Sequence, residues 1–235
     1  MTTFPKRFQN QSAFVLRHRP YSETSLLVDL FTEKSGRITA IAKGARRLKS
    51  SYRGVLLPFQ SLAVLFTGKG DVKTLTGAEP AGSRILLSRD HLMCGFYLNE
   101  LIIKMLYRYD PYETLYPVYE RALDELSCKL DAEFTLRRFE KHLLEQVGYG
   151  LHLQRDMSTG LPIDEHVLYR YLPEVGPIVN NSSRNDGVLI HGDALIALDQ
   201  EGVFTERVRR ELKQLNRLVL ATHLQGKPLN SRRLY

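Results

Sequence analysis

The chain is short of several things that would point to particular chemistries. It has two cysteines in 235 residues, Cys94 and Cys128, each among apolar residues of a predicted helix and not in a closely spaced pair. That argues against a disulfide framework and against a thiolate-held zinc. No run of 18 apolar residues occurs, and Met1–Phe14, with Pro5, Lys6, Arg7 and several amides, lacks the apolar centre of a signal peptide. A membrane span and secretion are disfavoured, and a cytoplasmic location is expected. There is no internal repeat and no low-complexity run. Acids are missing from one long stretch: none lies between Glu33 and Asp71, while Lys34, Arg37, Lys43, Arg46, Arg47, Lys49, Arg53 and Lys69 all do.

What is present otherwise resembles an ordinary folded chain, with 43% hydrophobic and 25% charged residues, so wholesale disorder is excluded. The length suits one large domain or two small ones, and two are expected. The net charge of +7 is unevenly spread. Residues 1–77 carry 13 Lys and Arg against 4 acids, a net of +9, which leaves the remainder at −2. A local excess of this kind favours a polyanionic partner.

The first region reads as five strands, about Gln11–His18, Thr24–Phe31, Arg37–Lys43, Phe59–Thr67 and Val72–Gly77, because β-branched and apolar residues alternate with polar ones between turn signals. In the third, Ile38, Ala40 and Ala42 share one face, while Arg37, Thr39, Ile41 and Lys43 share the other, expected to be wet. Gly68-Lys69-Gly70-Asp71 joins the last two strands, with glycines expected to supply the positive φ of a tight hairpin. Five short strands in about eighty residues suggest a closed oligonucleotide-binding (OB) barrel.

From Ser88 onward the period changes to about 3.6, which sets a boundary near Ala78–Leu87. The fold class is thus α+β, with a barrel domain at 1–80 and a mainly helical domain at 81–235. Ser88 is expected to cap a helix running to Tyr109, with His91, Gly95, Leu98, Ile102 and Met105 in one stripe. Pro117 is expected to start a second helix, and Asp131 to cap a third that buries Leu136, Phe139, Leu143 and Val147 and stops at Gly148. A bundle of these three is expected. Residues 149–190 read as loops with a short hairpin among them, because Gly160, Pro162, Pro173, Gly176, Pro177 and Gly187 interrupt every candidate element. After an apolar stretch at Ala194–Leu198, a last helix is predicted from Thr205 to Leu224. It carries Val208, Leu212, Leu215 and Val219 opposite Arg210, Lys213 and Arg217.

The segment Arg37–Arg53 is the strongest functional signal. Arg37, Lys43, Arg46, Arg47, Lys49 and Arg53, joined by Lys69 in the hairpin, are spaced to track a phosphate backbone, and Tyr52 offers a face for a stacked base. The bland alternative is a solvated loop with incidental charge, but six cations in seventeen residues without an acid repel one another unless a polyanion is at hand. Six contacts to single-stranded phosphates would give a log–log salt slope of about −4. On the last helix, Arg207, Arg210, Lys213 and Arg217 fit a secondary DNA or acidic-peptide site. A solvated helix face explains them equally well, since Glu206 and Glu211 lie close by.

Catalytic signatures fail. Gly68-Lys69-Gly70 lacks the Ser or Thr that follows a P-loop lysine, and Ala63 stands in place of the first glycine. Lys43-Gly44 with Arg46 lacks the aspartate of nucleotidyl-transfer lysine motifs. No two of the seven histidines are spaced as in a helical zinc protease. His91 and Cys94 share a helix face, but that face is the apolar stripe. No enzymatic activity, cofactor or metal is expected.

Several ordered motifs carry a resemblance: Ser22-Glu23-Thr24-Ser25-Leu26, Thr32-Glu33-Lys34-Ser35-Gly36-Arg37, Ala42-Lys43-Gly44-Ala45-Arg46 and Leu57-Pro58-Phe59, then Glu79, Tyr97-Leu98-Asn99-Glu100-Leu101, Arg137-Arg138-Phe139-Glu140, Gly148-Tyr149-Gly150, Gly226-Lys227-Pro228-Leu229 and Ser231-Arg232. In this order and spacing they resemble the RecO family of bacterial DNA-repair proteins over nearly the whole chain. The resemblance implies an OB domain followed by a helical domain, acting as a recombination mediator without catalysis. It also implies binding of single- and double-stranded DNA, annealing of complementary strands, and engagement of the acidic tail of the single-stranded DNA-binding protein. RecR would be a partner, with functional links to RecF and RecA, at the nucleoid. Many members carry a four-cysteine zinc site after the Gly148-Tyr149-Gly150 motif, whereas residues 149–190 here have no cysteine, so the chain resembles the zinc-free, proteobacterial members. Two rivals stay open: an RNA-binding or ribosome-associated OB protein, and a nuclease or nucleotidyl transferase with a dispersed site.

Overall fold

The computed structural model describes residues 10–82, 85–180, 186–224 and 228–231. Lys6, Arg7, Gly226, Lys227 and Arg232 therefore lie outside the described residues. The chain divides into two compact units, Met1–Leu130 with Leu229–Tyr235, and Asp131–Pro228.

In the first unit, strands β1 (Gln11–Tyr21), β2 (Ser25–Thr32), β3 (Gly36–Ala42), β4 (Ser61–Thr67) and β5 (Lys73–Pro80) close into a barrel of order β1-β2-β3-β5-β4. All neighbours are antiparallel except β3 and β5. This is the expected OB-type barrel. Period-two alternation turns Ala13, Val15, Val28, Leu30, Ile38, Ala40, Ala42, Leu62, Val64, Phe66 and Leu75 into one buried core. A bulge between Val15 and Arg17 shifts the register of β1 against β2.

The barrel's outer face is only partly wet. Phe14 and Phe31, both fully buried, pack on Tyr116 and Tyr119, with ring centroids 5.2–5.8 Å apart. These tyrosines belong to α2 (Leu115–Ser127), which lies beside α1 (Arg89–Met105). Asn99 of α1 donates to the Leu16 carbonyl (2.8 Å) and accepts from the Tyr119 hydroxyl (2.5 Å), so the buried polar groups are matched. Burial of each phenylalanine contributes about 1.5–3 kcal/mol.

Several expectations shift in detail. Thr39, placed on the wet face of β3, is 2% exposed because its hydroxyl donates to the buried Asp29 carboxylate (2.5 Å). In the β4–β5 turn Gly68 takes a positive φ of 119°, while Gly70 does not. Helix α1 follows Ser88 as expected but ends at Met105, short of Tyr109. The apolar period runs on, but β3 captures the chain: Leu106 turns extended, Arg37 Nε donates to its carbonyl (3.2 Å), and Tyr109 N donates to the Arg37 carbonyl (3.1 Å). Gly36 permits this approach, since a Cβ there would lie 1.7 Å from the Asp110 carbonyl oxygen.

The second unit holds α3 (Ala132–Gln146), α4 (Gly192–Asp199), α5 (Glu206–His223) and a sheet of β6 (Leu168–Leu172), β7 (Gly176–Val179) and β8 (Val188–His191) in the order β7-β6-β8. Asp131 and Thr205 cap α3 and α5, accepting from Phe134 N (3.2 Å) and Val208 N (3.4 Å). The expected grouping of α1, α2 and α3 is divided between the units: α1 and α2 belong to the first, and α3 to the second, where it packs on α5. Val147, expected inside, is a half-buried C-cap. Residues 149–180 and 186–190 are more ordered than their glycines and prolines suggest. Besides the β6–β7 hairpin and β8, the buried Asp156 accepts from Ser158 N (2.9 Å), Ser158 Oγ (2.7 Å) and Thr159 Oγ1 (2.7 Å). The Tyr171 hydroxyl accepts from His152 N (3.0 Å).

Candidate nucleic-acid interface

The connection from β3 to β4 is a chain of tight turns pinned at several points. Arg47 N donates to the Gly44 carbonyl (3.0 Å), Ser50 N to Arg47 (3.1 Å), Arg53 N to Ser50 (3.2 Å) and Val55 N to Tyr52 (3.1 Å). Ala45 and Leu56 are buried in the barrel core, with Tyr52 and Val55 packed against it. Arg46 N donates to the Thr24 carbonyl (2.8 Å), which ties the connection to the β1–β2 turn. The apolar residues point in, so the cations between them point out.

Lys43, Arg46, Arg47, Lys49 and Arg53 are all exposed. The recorded bonds of this group go to backbone carbonyls: Arg46 to Ser22 (3.4 Å) and Glu23 (3.2 Å), and Arg53 to Leu48 (3.3 Å). Among the described residues none of the five forms an ion pair with a carboxylate. Exposed Leu48 and Tyr21 add apolar surface to the connection and the end of β1.

Two of the sequence candidates stand elsewhere. Six residues along β3 separate Arg37 from Lys43, about 20 Å at the rise of a strand. The parallel register Ala40↔Lys73 puts the β4–β5 turn, with exposed Lys69, toward the Arg37 end of β3. There the Tyr109 hydroxyl donates to the Asp71 carbonyl, and Lys73 Nζ lies 4.6 Å from the Tyr109 ring centroid. Tyr52, read as a stacking face, instead packs on the core with its hydroxyl donating to the Leu75 carbonyl (3.0 Å), and this burial pushes its acidity down and its pKa up. Sequence reasoning passed over Arg17, whose guanidinium pairs with Asp29 at 2.6 Å, and Arg108, which bridges to Arg37 from the α1–α2 connector. Arg17 was visible in the charge count, whereas nothing local in the sequence marks Arg108.

Comparison with known proteins bears on both units. The family models described as Recombination protein O N terminal and Recombination protein O C terminal match residues 7–84 and 86–233. The chain is 42% identical over 235 residues to the DNA repair protein RecO of Nitrosospira multiformis, covering 100% of this chain and 97% of that protein. It is 43% identical over 225 residues to that of Haemophilus influenzae, covering 96% and 94%. With that of Coxiella burnetii it shares 42% over 230 residues, covering 97% and 98%. The chain belongs to the RecO family.

In this RecO-family chain the basic residues of the second unit are held differently. Arg207 pairs with Glu211 (3.0 Å) and with Asp193, and Lys213 pairs with Glu133 (2.9 Å). Arg210 and Arg217, also on α5, are exposed. Arg137 and Arg138, the family-like pair of α3, are buried; Arg137 bonds Glu140 at 2.8 Å, and Glu140 accepts from Asn216 Nδ2 at 2.6 Å. Among the described residues no three His, Cys, Asp or Glu side chains gather as a metal would require, and no helix is long and apolar enough to cross a membrane.

Proposed function

We propose that this RecO-family chain acts in DNA repair by binding single-stranded DNA on the β3–β4 connection and annealing complementary strands, without making or breaking a covalent bond. The observation that carries this reading is the group of five exposed cations on a pinned connection, with no carboxylate partner among the described residues. Such a surface screens phosphate repulsion between strands, the main obstacle to annealing. Tyr52 serves here as the pin of the connection. The strand held on the β3–β4 connection is assigned to residues 1–80, and the protein partners of this role are the acidic tail of the single-stranded DNA-binding protein, RecR, and through them RecF and RecA. Cytoplasm and nucleoid are the compartment this role requires. The relatives' name, DNA repair protein RecO, supports the reading.

The test is annealing of complementary oligonucleotides coated with the single-stranded DNA-binding protein. Annealing should be accelerated, and binding of one strand should fall with salt at a log–log slope of about −3.5 for five phosphate contacts. No acceleration would sink the reading. Tighter binding of RNA than of DNA of the same sequence would favour an RNA-binding role, and cleaved or joined products with Mg²⁺ and ATP would reveal an enzyme.

A further inference from the structure

The β3–β4 connection does not account for every cation of the first unit. Arg108 is exposed and is the backbone bridge partner of Arg37. The bonds from Arg37 Nε to the Leu106 carbonyl (3.2 Å) and from Tyr109 N to the Arg37 carbonyl (3.1 Å) fix the two arginines side by side. Among the described residues neither guanidinium forms an ion pair. Asp29, whose field favours the charge on Arg37, is already engaged by Arg17 (2.6 Å) and Thr39 (2.5 Å). Asp71 and Asp110 border the patch, and among the described residues neither forms an ion pair with its cations. Burial and the neighbouring Arg108 both weaken Arg37's hold on its proton. Adjacent like charges of this kind are costly until an anion lies between them. Tyr107, next in the chain to Arg108, is 76% exposed, which leaves a ring free to stack.

We propose that Arg37, Arg108 and Tyr107 form a second single-strand site, which takes the phosphate backbone and one stacked base of a second DNA strand about 20 Å along β3 from the β3–β4 connection. The inference rests on the DNA-binding reading and goes beyond it, because one barrel then holds two strands at once. Their encounter becomes intramolecular, and the high effective concentration accelerates pairing with no chemistry supplied by the protein.

The experiment is a titration with a labelled oligothymidylate of about ten nucleotides, which cannot pair with itself, at protein concentrations well above the dissociation constant. The wild-type chain should take two strands and Arg108→Ala one, with the affinity of the retained strand changed less than about twofold. Arg108→Ala should also slow annealing about tenfold, and Arg108→Lys should restore both the second strand and the rate. Arg46→Ala/Arg47→Ala/Lys49→Ala should remove the other strand instead. Arg108 is exposed, so the variant should melt at the wild-type temperature. Two strands retained by Arg108→Ala would overturn the inference. So would a single strand bound by the wild type and weakened by either set of substitutions, since one strand would then cross both groups. Failure of the wild type to bind any strand would instead bring down the DNA-binding reading.

Discussion

The cations of the β3–β4 connection and those of α3 and α5 are the same residue types in opposite circumstances. On the connection, Lys43, Arg46, Arg47, Lys49 and Arg53 reach solvent without a carboxylate partner among the described residues. In the second unit, Arg137, Arg207, Arg209 and Lys213 are matched to Glu140, to Asp193 and Glu211, to Asp131, and to Glu133. A cation already paired and partly dehydrated gains little from a phosphate, because binding would first break the existing pair. An unpaired one gains the whole release of counterions. The count of basic residues therefore says where a polyanion might be sought, and pairing says where it is held.

The sharpest way to break the comparison is to remove a buried carboxylate from the second unit and, separately, the unpaired cations from the connection. Glu140 is fully buried and takes bonds from Arg137 and Asn216. Glu140→Ala should cost about 3–5 kcal/mol of unfolding free energy, the usual penalty for breaking a buried ion pair from one side. It should leave oligonucleotide affinity unchanged under conditions where the variant is still folded. Denaturant titration and an anisotropy assay on the same sample check both halves. The next largest effect is expected from Arg46→Ala/Arg47→Ala/Lys49→Ala, made in the Arg108→Ala background so that only the strand on the connection is read; it should lower the affinity for that strand about 100-fold at 0.1 M salt and reduce its salt slope to about −1.4, two contacts being left. Its melting temperature should not move. Unchanged affinity at low salt would show that the unpaired cations are only a solvated face.

Much of this contrast was legible in the sequence, and its limits have physical causes. The five strands announce themselves because Ile38, Ala40 and Ala42, like Leu62, Val64 and Phe66, keep strict alternation around one core. Asp131 and Thr205 were recognisable as caps because capping is local. The early end of α1 was not, since it depends on bonds between Leu106–Tyr109 and Arg37, some seventy positions away in sequence. The same long reach hid Arg108. Strands β6, β7 and β8 have only 5, 4 and 4 residues, too few for a period to show among glycines and prolines. Within the stripe Arg207, Arg210, Lys213 and Arg217, Lys213 pairs with Glu133 at the start of α3 and Arg207 with Asp193 of α4, so half of its charge is spent on partners that the helix's own sequence does not show.

A paired cation within the first unit sharpens the rule further. Lys104 bonds Glu100 at 2.9 Å, and the same carboxylate accepts from Asn230 N (2.9 Å), Ser231 N (2.9 Å) and Ser231 Oγ (2.6 Å). Burial alone would raise the Glu100 pKa, but the bonds from Ser231, Asn230 and Lys104 together pull it from 4.5 down to about 2. A depressed folded-state value means that the stabilisation is fully present above pH 4.5 and is lost as pH falls toward 2. Glu100→Gln should therefore cost about 1–2 kcal/mol at pH 7 and flatten the stability–pH curve across that window, as read by denaturant titration at several pH values. Oligonucleotide affinity should not change.

The smallest expected effect concerns the two arginines of α5 that the carboxylates do not claim. Among the described residues Arg210 donates to the Glu206 carbonyl (3.4 Å) and pairs with no carboxylate, and Arg217 is exposed. If pairing decides which cations meet a polyanion, these two are the remnant of the α5 stripe that still can. Arg210→Ala/Arg217→Ala should reduce the salt slope of binding to a long single strand by at most about 1.4, with no change for an oligonucleotide of about ten residues. Arg207→Ala/Lys213→Ala should leave both slopes alone and lower the melting temperature by a few degrees, in keeping with partly exposed pairs worth about 0.2–1 kcal/mol each. Equal loss of slope from both pairs would show that phosphates displace Glu211 and Glu133 from their partners, and that an ion pair does not withhold a cation from DNA.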